Sequence, residues 1–141
     1  KKTYVKNWDH MKPKEKHKIT ITGPNAKEID IKKISHIVEE VGYWRKANQI
    51  HNWFVQNVQE GEDDCKEYYV RRDQLEDLLN LVETVLKCPA KAEELLPCQS
   101  GFFFGQTIYD QYYFQDLEHT KKILTETLKK PGDEFSYQSS W

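Results

Sequence analysis

The chain has 141 residues, enough for one domain with a real core, and its 21 basic and 23 acidic side chains leave a net charge of −2. That balance excludes a global electrostatic pull on DNA or RNA, so any phosphate contact needs a local patch. No apolar run approaches the ~20 residues of a membrane span, no secretory apolar core is present, and Cys65, Cys88 and Cys98 share no CxxC spacing, which argues for free thiols in a reducing cytosol.

The N-terminal lysines (Lys1, Lys2, Lys6, Lys12, Lys14, Lys16, Lys18) read as a solvated arm, with nucleic acid an unlikely partner. Thr3–Val5 and Lys18–Thr22 alternate polar and apolar positions, which predicts two short strands; Gly23-Pro24-Asn25 marks a turn, and Ile29 could add a third strand. A ribbon this small must pack on helices or pair with another chain.

Asp30 is placed to cap a long helix ending at Gly61. Its inner stripe runs through Ile31, Ile34, Val38, Val41, Trp44, Ala47, His51, Phe54 and Val58, with Gly42 a point of kinking or close approach. Within it Val41–Gln59 contains no carboxylate. Two readings of that gap stand. Acids are scarce in a buried helix because buried charge is costly; they are also scarce on a surface that receives an anion. For the second reading, Arg45, Asn48, Gln49 and Asn52 share one helix face, bordered by Tyr43, Trp53 and Gln56. Arg45 would meet a phosphate, Asn48 and Asn52 would read edges, and Trp44, Trp53 or Phe103 would stack. A surface ion pair of Arg45 with Asp116 is the plain alternative.

The acidic loop Glu60–Asp64 lacks the ligand order of a calcium loop. Asp73 with Glu76 predicts the start of a second helix with Leu75, Leu78, Leu79, Val82, Val85 and Leu86 on its apolar face, stopped by Cys88-Pro89. A short helix over Ala90–Leu96 follows, ended by Pro97. The last helix runs from Ile108 or Gln111 to Lys130, with Tyr113, Leu117, Thr120, Leu124 and Leu128 inward. The tail from Asp133 to Trp141 looks too polar to fold alone and is expected to lean on a neighbouring subunit.

Ser100–Thr107 reads SGFFFGQT, a glycine-bracketed loop running into a helix start. Free backbone N–H groups in such a loop can hold an anion, although it is not a Walker A loop. Either the aromatics plug the core or they form a lid over a pocket. Catalytic signals are weak. His51 lies near the apolar stripe without an adjacent nucleophile and fits a core histidine better than a general base. His36 with Glu40, and His119 with Asp116, offer too few ligands for a metal, and Ser100 lacks a nucleophile elbow.

The strings YWRKANQIHNWFV, EYYV and LLPCQSGFFFG…YDQYYFQDLEHT, spread over Ile34–Leu128, resemble those of a family of small proteins encoded by phages and prophages. The resemblance supplies no catalytic residues. A small hydroxyl residue stands in the family where this chain has Cys98, which speaks against a catalytic thiol. What the resemblance implies is a setting, the cytoplasm of an infected or lysogenic host, where small phage proteins counter host defence.

The resulting expectation is a mainly α single domain, three to four helices packed as a small bundle (30–130) with a short N-terminal β-ribbon (1–29) and a tail (131–141). The first and last long helices should pack together. The expected function is to bind and sequester an anionic nucleotide-like signalling molecule without turnover, as a homo-oligomer, with no cofactor and no metal. A protein–protein inhibitor of a host defence enzyme is the alternative, and a phosphoester-cleaving enzyme using His51 or His119 the next. The expected ligand-binding residues are Trp44, Arg45, Asn48, His51, Asn52, Trp53, Gly101, Phe103, Gly105, Thr107 and Tyr109.

Overall fold

Strands enter and leave the helical part of the chain, where the sequence pattern predicts a bundle. The computed structural model describes residues 3–7, 22–28, 30, 38–100, 107–132 and 134–140. Among these, β1 (Thr3–Asn7), β2 (Glu39–Trp44), α1 (Asn48–Asn57), β3 (Tyr68–Val70), α2 (Arg72–Lys87), α3 (Ala92–Leu95), α4 (Gln111–Leu128) and β4 (Phe135–Ser139) follow in that order. The strands form one four-stranded antiparallel sheet, ordered β2-β1-β4-β3. The expected mainly α bundle is thereby corrected to a mixed α/β fold. β1 is an interior strand and not part of a separate ribbon. Of the predicted partner strand, positions 18–21 lie outside the described residues, as does Ile29; the turn at Gly23–Asn25 is present and opens a 3-10 turn over Ala26–Glu28.

The long first helix is the second correction: α1 spans only Asn48–Asn57, Glu39–Trp44 form a strand, and Ile31 and Ile34 lie outside the described residues. Its stripe through Val38, Val41 and Trp44 is also a run of β-branched and aromatic residues broken by glycine, which a strand accepts and a helix resists by about 1 kcal/mol at the glycine. β2 wins because β1 pairs with it. The register shifts between Val5 and Lys6, leaving Val41 as the extra residue of a bulge. Gly42 permits the packing that follows: a Cβ there would stand 2.5 Å from Ile123 Cγ2 of α4. Trp44 Nε1 then donates to Thr120 Oγ1 at 2.8 Å, and Lys130 pairs with Glu39. α1 ends at Asn57 with Val58 as its cap; Gly61, three residues later with φ +85°, places its N–H on the Val55 carbonyl.

The tail is the third correction. Phe135 and Tyr137, two apart on one face of β4, are fully buried, and β4 sits between β1 and β3. The tail therefore leans on its own chain, which removes the argument for a neighbouring subunit. Tyr137 stacks on Phe54 of α1, ring centroids 3.7 Å apart.

α2 buries Leu75, Leu78, Val82 and Val85, each contributing roughly 1.5–3 kcal/mol. It packs on α4, which buries Tyr113, Leu117, Thr120, Leu124 and Thr127. The last helix thus packs mainly on α2 and β2, and α1 reaches it through the Gln49–Tyr113 hydrogen bond. The start of α2 lies one residue before Asp73. Gln74 Oε1 accepts from the Arg71 N–H, while Asp73 pairs with the Arg71 guanidinium. Arg72 joins the two helices, donating to the Leu128, Lys130 and Gly132 carbonyls at the end of α4.

Candidate functional site

α1 decides between the two readings of the carboxylate-free segment. Its residues Asn48 to Val55 are all buried, so over that stretch the gap reflects burial on every side of the helix, while Arg45, Lys46, Gln56 and Asn57 are exposed. Asn48 exchanges two hydrogen bonds with the backbone of Gln99, at 2.9 and 2.8 Å. Gln49 Nε2 donates to the Tyr113 carbonyl at 3.0 Å and Asn52 Nδ2 to the Pro97 carbonyl at 2.9 Å. The amides expected to read a ligand instead fasten the 96–100 strap and α4 to the core. Trp44 is buried and bonded to Thr120, so it offers no face for stacking. Trp53 packs edge-on against Phe54.

Arg45 is not on the helix. It lies at the β2–α1 corner, exposed, followed by exposed Lys46 in the left-handed conformation (φ 61°), a conformation that costs a non-glycine residue about 1–2 kcal/mol. The corner turns both cations outward. They line a groove of about 610 Å³ whose other wall is the start of α4: Ile108, Asp110, Tyr112 and Asp116. Ile108 and Tyr112 are 60% and 62% exposed and stand together on this wall. Asn48, Gln49 and Tyr113 form the rigid base. Tyr113 Oη donates to the Leu96 carbonyl at 2.7 Å, and burial raises its hydroxyl above the usual range.

The acids of the groove differ. Asp110 caps α4, its Oδ1 accepting the N–H groups of Tyr112 and Tyr113. Asp116 is half-buried, and that burial pushes its carboxyl up to about 6; His119 opposes the shift and Asp110 adds to it. The Arg45–Asp116 ion pair is not formed, although both side chains line the groove.

His51 is enclosed. Its Nε2 stands 2.8 Å from Asp63 Oδ1 and its Nδ1 2.7 Å from the Tyr137 hydroxyl. A carboxylate only accepts, so Nε2 carries the proton and Nδ1 accepts from Tyr137 in the neutral ring. It is a structural link between α1, the acidic loop and β4. His119 Nε2 donates to the Tyr43 carbonyl at 2.8 Å. The Cys98 thiol, pushed up to about 11 by burial, is a poor nucleophile. Among the described residues no group of three or more His, Cys, Asp or Glu side chains could hold a metal, and no helix is long and apolar enough to cross a membrane.

Of the expected ligand residues, the groove brings together Arg45 and Asn48, with Tyr109 packed behind Tyr113 and its hydroxyl accepting from the Cys98 N–H. Thr107 is exposed just before Ile108. Gly101, Phe103 and Gly105 lie outside the described residues, as does His36. Lys46, Ile108, Asp110, Tyr112 and Asp116 were not among the expected binding residues. A usable signal existed: Tyr112 and Asp116 stand one turn apart on α4, beside its apolar stripe and just after Ile108. A second hollow of about 570 Å³ lies between α1 and α2, beside Trp53, Asn57 and Asn80, but its cation, Arg71, is already paired with Asp73. The chain matches no family model, no curated protein and no solved structure.

Proposed function

We propose that the protein binds a small, planar, anionic molecule of nucleotide type in the groove between the β2–α1 corner and the start of α4, and holds it without turnover. The observation that carries this reading is the exposed pair Arg45 and Lys46 sharing a groove of about 610 Å³ with the exposed ring of Tyr112. A guanidinium pairs with phosphate oxygens through parallel N–H donors, an ammonium adds a point charge, and a tyrosine ring supplies a stacking face. The volume falls in the ~300–1,000 Å³ range of small-molecule sites. Sequestration is favoured over turnover because His51 is enclosed and both its ring nitrogens are engaged.

In the phage setting that the sequence resembles, the role is counter-defence, with a host signalling nucleotide withdrawn from the cytoplasm. A second reading, a protein–protein inhibitor, draws on the same exposed Ile108 and Tyr112 as contact residues. Native mass spectrometry with a panel of mono-, di- and cyclic nucleotides separates them. A stoichiometric adduct released unchanged on denaturation supports sequestration and reports the oligomeric state. No adduct across the panel, with a stable complex in host lysate, supports the inhibitor.

A further inference from the structure

The groove carries charge of both signs that does not cancel internally. Arg45 and Lys46 stand at one wall and Asp116 at the other, and none of the three enters an ion pair among the described residues. Asp110 differs, because its carboxylate is committed to the N–H groups of α4. Asp116 is thus a half-buried carboxylate that borders the groove, and among the described residues no donor reaches its carboxylate oxygens. Desolvation has raised its carboxyl to about 6, so donors arriving with a ligand would stabilise the ionised form. It also lies one helical turn after Tyr112, which places a ring and a carboxylate side by side on the same face of α4.

A base lying on the Tyr112 ring presents its edge to Asp116. A carboxylate prefers two parallel N–H donors, as in its pairing with a guanidinium. Guanine offers this pair, in N1–H and the exocyclic N2 amine. Adenine and cytosine set a ring-nitrogen lone pair beside their amine, and uracil flanks its single N–H with carbonyls. Resting on the binding reading above, the geometry points to a guanine nucleotide as the ligand, with the base edge on Asp116 and the phosphate on Arg45 and Lys46.

The test is isothermal titration of the full chain with GMP, IMP and AMP, with agmatine as a guanidinium control. GMP is expected to bind about ten-fold or more tightly than AMP, with IMP, which lacks the N2 amine, in between. Asp116→Asn should abolish the GMP preference. The wild-type comparison needs no variant, so it stands even if Asp116→Asn fails to fold. Equal binding of GMP and AMP overturns the guanine assignment alone, as does a GMP preference that survives in folded Asp116→Asn. Agmatine binding without nucleotide binding, or no binding of any nucleotide, overturns both this inference and the reading beneath it.

Discussion

The Nδ1 atom of His51 stands 2.7 Å from the hydroxyl of Tyr137, tying the buried helix α1 to the last strand of the chain. The same tyrosine stacks on Phe54 one turn further along α1. Tyr137→Phe keeps the stack and loses the hydrogen bond, at a cost of about 1 kcal/mol. Tyr137→Ala loses both and should cost roughly 3–5 kcal/mol. Urea denaturation reads the difference; an unchanged midpoint for Tyr137→Ala would remove β4 from the sheet.

Gly42 and Ile123 set how closely α4 approaches β2. A methyl at position 42 would meet Ile123 Cγ2 at 2.5 Å, with Trp44 Cη2 at 3.3 Å behind it. Gly42→Ala is expected to destabilise by about 1–3 kcal/mol. Combining it with Ile123→Ala should recover part of that loss, because the two changes share one space. Simple additivity of the two would contradict the contact.

Asn48 holds the strap after α3 by exchanging two hydrogen bonds with Gln99. Asn48→Ala should cost about 1–3 kcal/mol. It should also speed hydrogen exchange at the Gln99 amide more than at amides in α2. Uniform acceleration across the chain would mean that the bond carries no local role.

Asp116 gives the groove a pH signature. Its carboxyl sits at about 6 in the folded chain, raised by burial and by Asp110 against the pull of His119, and returns to the ordinary ~3.9 on unfolding. Between about pH 4 and 6 the folded state therefore holds the extra proton. Stability from this group falls as pH rises through that window and is flat above it. The stability difference between Asp116→Asn and wild type should grow in favour of the variant from pH 4 to 6. A difference that stays constant over that range would place Asp116 in a solvated environment.

Legibility in the sequence followed the packing. α2 and α4 each bury one stripe against a partner, so Leu75 to Val85 and Tyr113 to Leu124 announced them at helical spacing. α1 also follows helical spacing through His51 and Phe54, but a stripe does not reveal that the polar side from Asn48 to Asn52 is buried as well. Its missing carboxylates then looked like a binding face, although Asn48, Gln49 and Asn52 spend their amides on backbone carbonyls. Val38, Val41 and Trp44 satisfy helical spacing by coincidence; the better signal was the Val-Gly-Tyr-Trp run. In the tail, Phe135 and Tyr137 alternate with Ser136 and Gln138, a period of two that marks a strand despite its polarity. Arg45 and Asn48 reach one groove without sharing a helix face, because Arg45 belongs to the β2–α1 corner. Asp116 shares the groove with Arg45 without bonding to it.

The most direct test of the groove as the ligand site is a titration of isotope-labelled protein with GMP and with AMP, followed residue by residue in amide correlation spectra. The account predicts saturable shifts at Arg45, Lys46, Tyr112 and Asp116, with the amides of Asn57 and Asn80 unmoved. Shifts centred on Trp53, Asn57 and Asn80, or none at saturating nucleotide, would contradict it.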